Sequence, residues 1–254
     1  MKTFYVLCLL SALAGTAAAK EPVTVHLAGD STMAKKLPEK RPETGWGEAL
    51  PHFFREDRVR VNNHAKNGRS TRLFIEQGLW KGLLDALKEG DYVFIQFGHN
   101  DGAKDKPDRY TPPEDYRANL VRFVKEVRER KGTPVLLTPV MRRKFTKEGA
   151  FVDQHGVYPG IVREVAAELK VPLIDMHRKS EQALVRLGPE ESRKLFLQLK
   201  QGENPNYPNG VEDNTHFNPA GAELMARLAV EGIRESKLGL VKYLLKSSAA
   251  KAGR

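Results

Sequence analysis

Five residues spread along the chain are of the types that acyl transfer needs: Ser31, Gly68, Asn100, Asp213 and His216. Ser31 lies in the tetrapeptide GDST, directly after the apolar stretch VTVHLAG that begins at Val23. A serine hydroxyl is a weak nucleophile until a base takes its proton and hydrogen-bond donors receive the oxyanion. At the top of a strand, entering a helical turn, Ser31 would turn its own N–H inward. The helix N-terminus would add positive potential there. Read alone, Asp-Ser after a strand serves equally as a turn or an N-cap.

The other segments carry the missing parts. Gly68, in NHAKNGRSTR, can adopt torsions that point its N–H into a cleft, or can be a plain loop glycine. Asn100 lies in FGHNDG, directly after YVFIQF. A polar cluster after so apolar a run must face a wet cleft or be fully hydrogen-bonded. The Asn100 amide can donate to an oxyanion, whereas His99 and Asp101 read as structural: His99 packs under the loop and Asp101 caps the next turn. Asp213 and His216, in EDNTHFNPAGAELM, are three positions apart, so in a turn both side chains reach one side. The carboxylate can then hold the imidazole in one tautomer and stabilise its charged form. A helix-leading surface turn accounts for the pair as well, since Asn218-Pro219 opens a helix.

Buried strands must position these residues. The apolar runs Val23–Gly29, Arg58–Asn63, Asp91–Phe97, Thr133–Thr138 and Val171–Asp175 read as buried strands, and the third and fourth are short and apolar, as parallel strands covered on both faces should be. Helical spacing marks Tyr116–Arg130, Val157–Lys170, Lys179–Leu187 and Pro219–Glu235. This alternation predicts a doubly wound α/β fold in one domain over residues 20–236. Loops are expected at Lys35–Gly47, Gly102–Pro113, Arg142–Gly160 and Gly202–Asp213. In such a sheet the loops after the strand C-termini hold ligands.

The ends of the chain differ from its body. MKTFYVLCLLSALAGTAAAK has Lys2, an apolar run from Phe4 to Leu13 and small residues up to Ala19. This is the pattern of a signal peptide over residues 1–19, cut after Ala19, which predicts a secreted or periplasmic protein. The run is too short to span a bilayer comfortably. The single cysteine, Cys8, falls inside it, so the mature chain is expected to have no disulfide and no thiolate ligand. Residues 237–254 form a basic tail with Lys237, Lys242, Lys246, Lys251 and Arg254, and Leu238–Lys246 reads as a short amphipathic helix.

Of the 254 residues, 40% are hydrophobic and 29% charged, which suits a soluble globular core. The formal charge of +10 suits a polyanionic substrate or only solubility. No Lys/Arg stripe interleaved with aromatics points to nucleic acid. No stable membrane insertion is expected, and nothing fixes an oligomeric state. Walker, HExxH and GxGxxG patterns are absent, so no cofactor is expected. His26 reads as packed in its strand, His64 as a loop or cleft residue, and His177 as a helix start. His52 and His155 fit no pattern, and no cluster has metal-ligand spacing. Trp46 and Tyr207 are candidate sugar platforms, Trp46 otherwise packing a helix start.

Taken together, serine, glycine, asparagine and Asp-x-x-His occur in the order and spacing of the SGNH, or GDSL-like, hydrolases. AGDSTMA, GRSTR, FGHNDG and DNTHFNPAGAELMA resemble the rhamnogalacturonan acetylesterases of carbohydrate esterase family twelve, with likeness from Leu27 to Leu228. The resemblance implies a three-layer α/β/α sandwich around a five-stranded parallel, flavodoxin-like sheet. It implies Ser31 as nucleophile, His216 as general base and acid, and Asp213 as its orienter. The oxyanion hole would comprise the N–H groups of Ser31 and Gly68 and the Asn100 side chain. The implied partner is an acetylated polysaccharide, rhamnogalacturonan first. Acetylxylan, a lipid or thioester substrate, or a non-catalytic glycan-binding role are the alternatives. The polar loops Lys104–Pro113 and Gln201–Asp213 count against a lipid.

Overall fold

The structure is a computed structural model that describes residues 21–246; the expected signal segment lies outside them. Five strands form one parallel sheet: β1 (Val23–Gly29), β2 (Val59–Asn63), β3 (Tyr92–Gln96), β4 (Thr133–Leu137) and β5 (Leu173–Ile174). Their order is β2-β1-β3-β4-β5. The chain runs outward from β1 to β2, then crosses to the other side of β1 for β3. The order therefore reverses at β1/β3, where sheets of this type leave a crevice at the strand C-termini.

Alternation along each strand feeds two cores. Val25, Leu27, Phe94, Val135 and Leu137 face one side, under α1 (Trp46–Ala49), α6 (Met176–Arg193) and α7 (Pro219–Glu235). Ala28, Val93, Ile95 and Leu136 face the other, under α2 (Thr71–Glu76), α3 (Leu79–Ala86), α4 (Pro113–Glu129) and α5 (Tyr158–Glu168). Both faces of the central strands are covered, so β3 and β4 read as continuous apolar runs, whereas the edge strand β2 exposes Arg60 and Asn62. The fold is the doubly wound α/β arrangement that the alternation predicts, built as the three-layer α/β/α sandwich that the resemblance implies.

Three features depart from the sequence pattern. The helix expected over Lys179–Leu187 starts at Met176 and reaches Arg193, but it breaks at Gly188, whose φ is 69°, before restarting at Pro189. The last expected loop is flanked by an antiparallel hairpin of β6 (Phe196–Leu199) and β7 (Val211–Phe217), outside the main sheet. The amphipathic stretch after Leu238 forms one 3-10 segment, Gly239–Tyr243, with Leu238 and Leu240 buried against the body. Among the described residues no helix is long and apolar enough to cross a membrane.

Candidate active site

β1 ends in a tight turn. The Asp30 carboxylate accepts from the Thr32 N–H at 2.9 Å and the Thr32 hydroxyl at 2.8 Å. The Asp30 carbonyl accepts from Met33 and Ala34 N–H groups at 3.2 and 3.0 Å. This is a lone turn; a short 3-10 segment follows only at Pro38–Lys40, and the next α-helix, α1, begins at Trp46. The helix N-terminus expected at Ser31 is therefore not formed, because the Asp30 side chain closes the turn and the chain then runs out into the loop at 35–45. Individual N–H groups supply the positive potential instead.

Ser31 Oγ lies 2.8 Å from His216 Nε2, and His216 Nδ1 lies 2.6 Å from Asp213 Oδ2. An ionised carboxylate only accepts, so Nδ1 carries the proton and Nε2 is free to accept from the serine hydroxyl. The local backbone makes this possible. Phe196 pairs with Phe217 and Gln198 with Glu212, so two residues of advance on β6 meet five on β7. The surplus bulges out. Within the bulge Asp213 Oδ1 accepts from the N–H groups of Thr215 at 2.6 Å and His216 at 2.9 Å. The bulge, rather than a free-standing turn, brings side chains 213 and 216 to one side. Burial pushes the Asp213 carboxyl up, but the His216 hydrogen bond and charge and the two N–H donors bring it down to about 2. It is fully ionised at neutral pH.

Gly68 and Asn100 face the same cleft as Ser31 and His216, a cavity of about 730 Å³. Gly68 has φ of +75°, the left-handed region in which glycine carries no Cβ penalty. Asn100 Nδ2 donates to the Arg69 carbonyl at 3.0 Å, and its Oδ1 faces Arg109 Nη1 at 3.5 Å. Those contacts fix which end of the amide presents N–H. Among the described residues, the backbone N–H groups of Ser31 and Gly68 donate to no protein acceptor. Four of the five residues singled out by type therefore line one crevice at the β1/β3 reversal, and Asp213 backs it through His216. The arrangement can deprotonate a hydroxyl and surround a tetrahedral oxygen with donors.

The neighbours have structural duties. His99 Nε2 contacts the Val140 carbonyl at 2.8 Å, and its Nδ1 faces the buried Asp30 carboxylate at 3.5 Å. Burial raises the Asp30 carboxyl, yet the His99 charge and Thr32 donors hold it at about 2. Asp101 does not cap its own following turn. Its Oδ1 accepts from the Thr71 N–H at 2.9 Å and hydroxyl at 2.6 Å, fastening the start of α2, because that helix enters beneath the loop. Full burial pushes Asp101 up to about 6.

His26 is buried, between Asp91 at 3.3 Å and His64 at 3.1 Å, and His64 is stacked on it rather than lining the cleft. Trp46 is buried and donates to Gln96 at 3.1 Å, so it offers no sugar platform. Tyr207 also lies outside the cleft lining; its hydroxyl donates to the Lys40 carbonyl at 2.9 Å, pinning two loops together.

Among the described residues, one cluster with metal-ligand spacing exists that the sequence does not reveal: Asp153, His155 and His177, with ligand atoms within 4.8 Å. Asp153 and His155 sit in the loop before α5, whereas His177 opens α6, so no linear spacing marks them. Arg163 Nη2 lies 3.3 Å from His177 Nδ1. A guanidinium only donates, which makes Nδ1 the acceptor and turns Nε2–H toward Asp153 at 3.0 Å. A metal would need the opposite tautomer and an acceptor behind the ring. The chemistry of these donors fits a hydrogen-bonded cluster and opposes a cation.

The cleft also holds residues that type and spacing did not single out. Lys40, Arg69, Lys106, Arg109 and Arg142 line it, against the acids Glu43 and Asp108. They come from separate loops, so only the fold makes them one surface.

Comparison with known proteins places this geometry. Residues 27–224 match the GDSL-like lipase/acylhydrolase family. The chain is 42% identical over 226 residues to rhamnogalacturonan acetylesterase RhgT of Bacillus subtilis, covering 89% of this chain and 96% of that protein. It is 27% identical over 243 residues to the rhamnogalacturonan acetylesterase of Emericella nidulans, covering 88% and 90%. Among solved structures, the Bacillus subtilis protein YxiM superposes with a TM-score of 0.73 at 27% identity, over 86% of this chain and 58% of that one. Axe2, an acetylxylan esterase from Geobacillus stearothermophilus, gives 0.58 at 19% identity, over 85% and 95%, and shares the fold. With that match spanning the crevice and both sides of the sheet, the chain belongs to the GDSL-like lipase/acylhydrolase family and is a carboxylic ester hydrolase.

Proposed function

We propose that the protein is a secreted serine esterase that removes O-acetyl groups from a polysaccharide, with acetylated rhamnogalacturonan as its substrate. The observation that carries the reading is the relay from Ser31 Oγ to His216 Nε2 at 2.8 Å and from Nδ1 to Asp213 at 2.6 Å, set in a cation-lined cleft. In the proposed reaction, His216 Nε2 takes the Ser31 proton as Oγ attacks the acetyl carbonyl carbon. The carbonyl π electrons move onto oxygen, which the Ser31 and Gly68 N–H groups and the Asn100 amide receive. Removing one such donor typically raises the barrier by about 2.7–4 kcal/mol. The C–O bond to the sugar then breaks, and protonated His216 returns its proton to the sugar oxygen. Water, deprotonated by His216, attacks the acetyl-Ser31 ester and releases acetate. Asp213 stays ionised throughout and stabilises the imidazolium.

Charge and relatives support this polymer. Among the described residues no carboxylate pairs with Lys40, Arg69, Lys106 or Arg142, so the cleft presents free positive charge to a uronate-bearing chain. The similarity to two acetylesterases named for rhamnogalacturonan supports the same choice. The polar lining disfavours a long acyl chain. Export rests on the N-terminal pattern, and a mature protein beginning at Lys20 would be the result expected from sequencing the exported form.

Acetate released from acetylated rhamnogalacturonan, acetylated xylan and p-nitrophenyl esters tests the reading. The wild type should favour the pectic substrate and short acyl groups, and Ser31→Ala should release no acetate. Equal release by Ser31→Ala would refute the mechanism, and a preference for xylan or octanoate would refute the substrate.

A further inference from the structure

Lys36 lies five positions past Ser31, and its side chain has no exposure to solvent. Its ammonium reaches three oxygens: the Ser31 carbonyl, Asn67 Oδ1 at 3.0 Å and Glu43 Oε1 at 2.7 Å. An ammonium has three N–H donors, so this set uses all of them. The partners belong to three different parts of the cleft. Ser31 carries the hydroxyl, Asn67 directly precedes Gly68, and Glu43 lies on the cleft wall.

The Ser31–Thr32 peptide is held at both ends by charge. Its carbonyl accepts from Lys36, while its N–H donates to the Asp30 carboxylate at 2.9 Å. Asp30 is fully buried as well. This grip leaves the torsion that aims Ser31 little freedom. Through Asn67 the same ammonium tethers the turn that holds Gly68 at φ +75°. Burying a Lys–Glu pair carries a desolvation cost that an apolar pair of equal volume would avoid. Fold stability alone is thus a poor reason for a lysine here.

We propose that Lys36 is a positioning residue for the reaction: one buried ammonium sets the nucleophile's peptide and the Gly68 donor in a common frame. The proposal rests on the roles given above to Ser31 and Gly68. Lys36 touches no substrate and acts through the groups it holds. Displacing a reacting group by about 1 Å typically costs about 10²-fold in rate. The effect should fall on the tetrahedral state, which needs hydroxyl and donors in register, and hardly on substrate binding.

The test uses the full chain with p-nitrophenyl acetate and with methylboronic acid, which forms a tetrahedral adduct on an active serine. Lys36→Met combined with Glu43→Gln removes the pair without stranding a buried charge. Its kcat should fall about 10²-fold, with KM within about threefold and boronic acid inhibition weakened in parallel. Asn67→Ala, at an exposed position, removes only one tether and should lower kcat about tenfold with the same pattern. A folded double variant with kcat within about threefold of wild type overturns the proposal. If the double variant does not fold, unchanged kcat and boronic acid affinity in Asn67→Ala overturn it. Full activity in Ser31→Ala would instead sink the nucleophile assignment, so the two failures are told apart.

Discussion

Arg109 Nη1 stands 3.5 Å from Asn100 Oδ1, and a Cβ added at Gly68 would meet the same nitrogen at 3.5 Å. One guanidinium therefore flanks both of the proposed oxyanion donors that lie outside the β1 turn. Its ion-pair partner is the exposed Asp108, at 3.4 Å, so an incoming carboxylate can compete for it. Arg109→Ala should raise KM for an acetylated uronate oligosaccharide by about tenfold, as expected for a lost charge-assisted hydrogen bond. The difference from wild type should shrink as salt rises. Equal losses on p-nitrophenyl acetate would show that Arg109 serves only to orient Asn100.

Asp213→Asn keeps the shape but can turn an N–H toward His216 Nδ1, which forces the wrong tautomer on the base. In serine proteases the corresponding change lowers kcat about 10⁴-fold, and a loss of about 10³–10⁴ with little change in KM is expected here. Steady-state kinetics on p-nitrophenyl acetate check it; a loss below tenfold would remove Asp213 from the relay.

Gly68→Ala meets ordinary space, with nothing nearer than 3.5 Å, but must hold φ of +75°. The left-handed region costs a non-glycine residue about 1 kcal/mol, so a fall in Tm of about 2–4 °C is expected for a chain of this size. Any relief of that strain rotates the N–H out of the cleft, and kcat should drop more than stability does. Calorimetry and kinetics on one preparation separate the two.

Asp101 gives a pH signature. Burial raises its carboxyl from 3.8 to about 6, so the folded state binds its proton more tightly than the unfolded chain. Stability from this group is fully present below 3.8, declines as pH rises toward about 6, and stays lost above that. Asp101→Asn removes the dependence while keeping an acceptor for Thr71. Across that window wild type should lose about 3 kcal/mol relative to the variant. Urea unfolding at pH 4 and pH 7.5 measures it, and a gap that does not change with pH would contradict the assignment.

The sheet is legible because β3 and β4 are apolar on both faces and bounded by turn residues, whereas the edge strand β2 carries exposed Arg60 and Asn62. Helices α4, α5 and α7 announced themselves through a one-sided stripe. The hairpin was not legible: VEDNTHF lacks alternating apolar residues, and the Pro- and Asn-rich 202–210 stretch spoke only for a turn. Ser31 and Asn100 can be placed because both follow predicted strands, whereas nothing in the sequence distinguishes Lys36 from a surface lysine. Nothing local says that three distant oxygens will enclose it. The cluster at Asp153, His155 and His177 was hidden for the same reason, since its members share no element.

His216 and Asp213, the proposed base and its carboxylate, ride on β7, which pairs with β6 alone, whereas the Ser31 hydroxyl sits in the turn that follows β1 of the central sheet. Backbone bonds from Thr44 to Phe217 at 2.8 Å and from Arg143 to Asn214 at 2.8 Å moor this ribbon to the body. Phe196 and Phe217 add buried side chains to that mooring, and the proposed chemistry requires the ribbon to stay docked, which the pairing of the central sheet does not. Mild denaturant should silence turnover while the sheet's amides still resist hydrogen exchange, leaving a species that is intact by spectroscopy and inert by assay.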